Sequence, residues 1–457
     1  MAFAAWGAVA AGRTELYLWA AALAAGAAVV YLSLRVEPAW PLSLGIAASI
    51  FSGHWDLLGF PIGPDRLLIG TGLVGAVLAA RREAEASDGR PAFKLEPVHW
   101  LLLVALLWAV ASAWWAGTLT TSVGFFALLD RFGLVPFLVF LVAPLAFRTG
   151  RQRAILLGTL VATGAYLGLT ALFEALELHA IVFPAYILDD AVGIHAERVR
   201  GPFAQAVAMG LGLFICGAAG LIGAGGRRRP LELRAACLGV AMLCALGLVF
   251  TLTRAIWLGA LAAIFVVALA TPRLWRFVPA AGFCAAVLVV GALAFVPGLG
   301  DSAQERSRDR SPVWVRENTN TAALAIVAER PLFGIGWERF SDRSPPWFRQ
   351  DEHIPMTGAG EGVHNVLLAN ASELGLPDAF LWLAGTGLAI GGALVRRVTP
   401  ALAPWKALLL GVTVMMAVAG SVGPLNYPFP LLVLWTLAGL MGSSSATALP
   451  PPAARSG

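Results

Sequence analysis

Three polar segments interrupt a chain built mostly of apolar runs: Thr251-Leu252-Thr253-Arg254, Trp314-Val315-Arg316-Glu317-Asn318 and Gly362-Val363-His364-Asn365. Arg254 is squeezed between two apolar stretches with almost no loop. An ionisable group at such a helix end either faces a polar cavity or snorkels to the membrane surface. Arg316 opens a helix-like stretch that runs to Glu329 and is stopped by Pro331; Arg306, Arg308 and Arg310 just upstream make a solvated loop arginine an equally ordinary reading. His364 follows a hinge of Gly358, Gly360 and Gly362 at the start of an apolar run. With a pKa near 6.5, an imidazole there can be neutral and take a proton.

Other polar clusters carry less. Asp189, Asp190, His195 and Glu197 lack metal-ligand spacing and read as a solvated loop. Asp351, Glu352 and His353 read as surface, and His54-Trp55-Asp56 with Asp65-Arg66 as interfacial anchors. The four cysteines, Cys216, Cys237, Cys244 and Cys284, lie inside apolar runs and read as small packing residues. No metal site and no cofactor is expected.

The elements that position these residues follow from composition. Of 457 residues, 58% are apolar and 13% charged, with a mean hydropathy of +0.77. A soluble domain carries roughly a quarter charged residues, so lipid is the solvent for the excess. The runs Trp100–Trp115, Ala154–Leu176 and Phe277–Val296 are unbroken. Barrel strands would alternate, whereas crossing the bilayer as a helix takes about 20 apolar residues. The expected fold is all-α and polytopic. Spans fall near 14–33, 39–52, 66–80, 98–116, 132–147, 153–176, 203–224, 233–252, 254–270, 276–296, 364–395, 403–421 and 427–443. That makes 12 or 13 transmembrane helices, since 39–52 is short, and 364–395 is open to a break near Pro377. The first apolar stretch lacks a basic leader and a cleavage site, so a retained helix is expected.

Charge orders the loops. Arg81, Arg82, Arg90 and Lys94, then Arg148, Arg151 and Arg153, then Arg227, Arg228, Arg229 and Arg234, then Arg273 and Arg276, then Arg396, Arg397 and Lys406 occupy alternate loops. Such basic loops belong in the cytoplasm, and the net charge of +5 is thereby spent on orientation rather than on nucleic acid. The loops between them, 117–131, 177–202, 251–254, 297–363 and 422–426, face outward. Segment 297–363 exceeds what a connection needs and holds Trp314, Trp337, Phe340, Trp347 and Phe348. It is expected to fold as an extracytoplasmic lid between helices 1–296 and helices 364–443, with 444–457 a disordered tail.

The order of motifs resembles the O-antigen ligase and polymerase family of bacterial polysaccharide assembly. The resemblance rests on Arg316, Ala323-Leu324, Glu329-Arg330-Pro331-Leu332-Phe333-Gly334-Ile335-Gly336, Phe340, His364-Asn365 and Glu373-Leu374-Gly375-Leu376. Arg200-Gly201-Pro202-Phe203 and the Thr-Leu-Thr-Arg turn precede it, so the motifs cover roughly 195–395. The family arginine is commonly followed four residues on by Trp, where this chain has Asn320. After Arg200, Ala204-Gln205-Ala206 replaces the more usual Asn and Pro.

The resemblance implies a multi-pass protein of the bacterial inner membrane. It would transfer or polymerise a glycan from a polyprenyl-diphosphate carrier onto an acceptor glycan, lipid or protein, outside the cytoplasm and without a metal. His364 would act on the acceptor hydroxyl. Arg254 and Arg316 would hold the diphosphate, whose geometry guanidinium forks match. Arg200, Arg198, Asn365, Glu373 and Glu361 would assist in substrate binding. The alternative is a transporter or flippase of lipid-linked saccharides. A transporter would show repeats and mid-membrane charges, yet here the charges gather outside the spans.

Overall fold

The computed structural model describes residues 26–60, 63–86, 95–194, 197–226, 229–277, 279, 282, 310–349, 354–423, 425 and 427–442. Among them all regular structure is helical. The expected span 276–296 (for the most part), the start of the long loop at 297–309 and the tail 444–457 lie outside the described residues.

In chain order the helices are α1 (Gly26–Arg35), α2 (Ala39–Ala48), α3 (Pro64–Ala86), α4 (Pro97–Ala116), α5 (Ser122–Phe126), α6 (Leu134–Ala146), α7 (Gly150–Ala175), α8 (Ala206–Ala224), α9 (Leu231–Phe250) and α10 (Arg254–Ala270). There follow α11 (Ser311–Glu329), α12 (Phe340–Arg343), α13 (Val366–Leu374), α14 (Leu376–Val395), α15 (Ala403–Val422) and α16 (Pro428–Gly442). Among the described residues, seven segments are long and apolar enough to cross a bilayer: α4, Ser122–Ala146, α7, α8, α9, α14 and α15. Four shorter apolar helices accompany them. The chain is a polytopic all-α membrane protein.

Exposed side chains say what surrounds the helices. On α10, Leu258, Leu261 and Phe265 recur at helical spacing and are 62%, 65% and 63% exposed. Such a stripe is unfavourable in water and neutral in lipid. Trp114 and Trp115 stand exposed at the end of α4, where a span meets the polar boundary that Trp prefers.

The chain divides into two compact units, 1–92 with 145–159, and 93–144 with 160–457. In the first, α2 packs along α3 with backbones nearly touching: a Cβ on Gly72 would sit 2.8 Å from the Leu42 nitrogen. Small residues make such close helix packing possible in lipid. In the second, Gly220 of α8 meets α9 and Gly385 of α14 meets Leu102 of α4 in the same way.

Two expected boundaries move. The helix carrying Arg316 starts at Ser311, because Pro312 fits a first turn that needs no N–H there. The expected span 364–395 divides into α13 and α14 at Gly375, whose φ of +85° suits glycine. Pro377 ends up in the first turn of α14, where it is tolerated. The membrane-crossing part therefore begins at Leu376.

The described part of the long loop is bolted to the bundle by Trp337, which is fully buried against Ala105, Leu106, Ala109 and Ala113 of α4, with Leu128 and Leu374. Each polar group of Trp337 has a partner: Nε1–H donates to the Gly124 carbonyl (3.1 Å), its amide to Ser112 Oγ (3.1 Å), and its carbonyl accepts from the Thr118 hydroxyl (3.0 Å). The Arg131 guanidinium lies 4.4 Å over the indole and pairs with Glu338 (2.5 Å) and Glu373 (3.4 Å). Gly334 and Gly336 turn with positive φ, so that the amides of Ile335 and Gly336 donate to the carbonyls of Ser372 and Glu373, both at 2.9 Å. A second apolar cluster of Ala322, Ala323, Ile326, Ile335, Phe340, Phe348 and Val363 gives the loop its own core.

Truncating a large buried aromatic costs about 3–5 kcal/mol. Trp337→Ala is expected to lower the melting temperature in detergent and to make the 331–343 segment the first site of proteolysis. Leu324→Ala, on an exposed face of α11, should leave both unchanged.

Candidate active site

Arg254 is the first residue of α10, entered from α9 by a three-residue turn. Thr251 and Thr253 are buried there and satisfy each other's surroundings: the Thr251 hydroxyl donates to the Leu248 carbonyl and the Thr253 hydroxyl to the Thr251 carbonyl, both at 2.8 Å. Leu252 between them holds φ at +48°, a conformation that costs a non-glycine residue about 1–2 kcal/mol. With its hydroxyl turned away, Thr253 does not cap the helix. The exposed guanidinium of Arg254 therefore stands where the helix dipole is already positive, the end that favours an anion and disfavours a cation.

Arg316 lies in the second turn of α11. That helix is pinned to the stretch before His364 by Asn318, whose side-chain amide donates to the carbonyls of Pro355 (2.8 Å) and Thr357 (3.1 Å). Burial first, and then the positive charge of Arg254, pull the Arg316 pKa below its ordinary value. The two guanidinium groups thus sit within electrostatic reach of each other, and arginine keeps its charge regardless. Among the described residues, the buried Nε of Arg316 has no hydrogen-bond partner.

His364 immediately precedes the N-cap of α13. Its side chain is about one quarter exposed, with Nε2 3.9 Å from Glu361 Oε2. Burial is the main influence on the ring and lowers its pKa. Glu361 raises it, Arg316 lowers it and the nearby Gly362 carbonyl raises it, with a net downward shift. The downward shift favours the neutral imidazole, the form that can take a proton. Arg254, Arg316 and His364 thus form a chain of interacting groups, the middle one felt by both neighbours.

The remaining expected residues have other commitments. Asn365 is the N-cap of α13, its Oδ1 accepting from the amides of Leu367 (3.0 Å) and Leu368 (3.1 Å). It fixes the backbone beside His364. Glu373 is buried, accepting from the Phe340 amide (3.2 Å) while pairing with Arg131. Arg200 is 1% exposed and its guanidinium donates to the carbonyls of Ile187 (3.0 Å), Val192 (2.6 Å) and Asp189 (2.6 Å). It staples the 177–202 loop from inside, which leaves a substrate no access to it. Arg198 lies beside Glu197, at 3.6 Å.

Two supporting residues escape a reading of motifs. Arg131 clamps the long loop, and Glu174 at the end of α7 accepts the amides of Arg200 (3.1 Å) and Gly201 (3.0 Å). Both are charges bordering apolar runs, a signal that marks a partner inside the protein. Among the described residues no group of three or more His, Cys, Asp or Glu side chains is arranged to hold a metal ion.

Fold and site together define a multi-pass, all-α membrane protein with a cationic cluster at one end of its helices. Residues 239–383 match the family model described as O-Antigen ligase. The match spans Arg254, Arg316, His364, Asn365 and Glu373, while Arg200-Gly201-Pro202-Phe203 lies outside it. It supports a glycan-processing membrane enzyme of the O-antigen ligase or polymerase type. No curated protein matches the chain.

The ring's surroundings set a titration order. Carbethoxylation of His364, followed by peptide mass spectrometry across pH, should show a midpoint below 6.5. Glu361→Gln removes a group that favours the proton and should move the midpoint lower; Arg316→Gln removes one that opposes it and should move the midpoint higher. A midpoint above 6.5 in the unaltered protein contradicts the neutral imidazole.

Proposed function

We propose that this protein transfers a glycan from a polyprenyl-diphosphate carrier to the hydroxyl of an acceptor glycan, lipid or protein, at the extracytoplasmic face of the bacterial inner membrane. One observation carries the reading: Arg316 lies within electrostatic reach of both Arg254 and His364, and its buried Nε has no hydrogen-bond partner among the described residues. The positive-inside pattern of the short loops supports the outward orientation.

The chemistry follows from charge and proton flow. The acceptor oxygen bonds to the anomeric carbon of the donor sugar as the bond from that carbon to the phosphate oxygen breaks. Negative charge grows on the departing diphosphate, and Arg254 and Arg316 stabilise it. Preorganised donors of this kind are worth about a hundred- to a thousandfold in rate. The proton of the acceptor hydroxyl goes to His364, a contribution of about a hundred- to ten-thousandfold. The guanidinium pair supplies the positive charge the leaving group needs, so the proposal calls for no metal ion. The exposed apolar faces of the helices suit a polyprenyl tail that stays in lipid.

A polymerase lengthens repeat units and a ligase moves finished chains, so the lipid intermediates distinguish them. A strain lacking the protein should accumulate lipid-linked single repeats in the first case and lipid-linked long chains in the second. Purified protein should turn over that accumulated lipid. His364→Ala should slow turnover at least a hundredfold while keeping its melting temperature, and Arg316→Gln should do the same. Full activity in His364→Ala overturns the assignment of the base, and failure of the unaltered protein to act on any lipid-linked glycan overturns the function.

A further inference from the structure

Asn320 stands one helical turn beyond Arg316 on α11. Residues four apart on a helix share a face, so Arg316, Asn320 and Ala323 make a continuous stripe. Both ends of that stripe are located. Arg316 acts electrostatically on His364, and Ala323 packs in the cluster that contains Val363, the residue before His364, and touches Leu368, one turn into α13. Asn320 therefore lies between them, on the side of α11 that faces the imidazole.

Its chemistry there is unmet. Asn320 is half-buried, and its Oδ1 is buried without a hydrogen-bond partner among the described residues. Leaving a buried carbonyl oxygen without a partner is unfavourable, so a side chain that merely filled space there would better be apolar. Neighbouring Asn318 shows the contrast: its amide is fully engaged in pinning the loop. Two atoms without partners among the described residues, Arg316 Nε and Asn320 Oδ1, belong to residues one turn apart on α11. They differ in kind. Arg316 Nε only donates, and suits an anion. Asn320 Oδ1 accepts, and a sugar hydroxyl is a group that can donate to it.

We propose that Asn320 recognises a sugar hydroxyl of the lipid-linked glycan, accepting its hydrogen at Oδ1. The site is thereby divided into a phosphate part at Arg254 and Arg316 and a sugar part at Asn320. This rests on the glycan-transfer reading and adds a specificity-determining contact to it. A site built to hydrogen-bond a hydroxyl discriminates strongly against ligands that lack it, because its own polar atom is otherwise left unpaired.

The test uses the full-length protein in detergent and two probes that share a diphosphate but not a sugar. One is undecaprenyl diphosphate; the other is the lipid-linked glycan extracted from cells lacking the protein. Asn320→Leu should weaken binding of the glycan-bearing lipid tenfold or more and leave binding of undecaprenyl diphosphate within twofold. Arg316→Gln should weaken both. Asn320→Ala serves as the second variant, with thermal melting as the check on folding, and should give the same pattern. Equal loss for both probes would show that Asn320 contacts phosphate, and no loss for either would show that it contacts neither; each overturns the sugar assignment alone. If the unaltered protein binds neither probe, the glycan-transfer reading falls and takes this inference with it.

Discussion

Two positive charges, the exposed Arg254 and the half-buried Arg316, are held within electrostatic reach of each other. Arg254 and Arg316 repel, and burial adds to the cost of charging Arg316. Neither relaxes away, because neither is free to choose its position. Arg254 is set by a turn with buried threonines and a left-handed leucine. Arg316 is set by a helix tied through Asn318 to the chain before His364. Strain of this sort persists only where surrounding structure over-determines it. An anion binding between the two groups would relieve the repulsion.

The long loop makes that arrangement possible. Arg131 stacks on Trp337, and the same guanidinium pairs with Glu338 from the loop and Glu373 from α13. The loop carrying Arg316 and the helix that follows His364 are therefore fastened at one point. Backbone pairing of Ile335 and Gly336 with the end of α13 adds to it, and the two glycines are required because both turn with positive φ. The 331–343 portion of this segment is bolted down on α4.

Much of this was legible in the sequence, for physical reasons. Unbroken apolar runs dictate helices in lipid, and α4, α7, α8, α9, α14 and α15 stand where the runs do. Arg254 and His364 stood out in the sequence because ionisable residues at the edges of apolar runs are hard to explain by packing, whereas Arg316 falls inside a helix that begins at Ser311. The fates of Arg200 and Glu373 were not legible. Residue type alone cannot tell a guanidinium that binds three carbonyls of its own loop from one that awaits a phosphate; only the fold reveals the partners. Arg131 and Glu174 were hidden for the converse reason, since their partners lie far along the chain. Gly375 rather than Pro377 divides the last long run, because proline is tolerated in a first turn and the backbone must bend before it.

A double-mutant cycle on binding of undecaprenyl diphosphate tests most directly whether the two arginines serve one ligand. Arg254→Gln and Arg316→Gln would be measured singly and together, at fixed ionic strength. Groups that grip one diphosphate, and repel each other without it, should give a combined loss clearly different from the sum of the separate losses. Strict additivity, or a loss from only one of the two substitutions, would contradict a shared phosphate site.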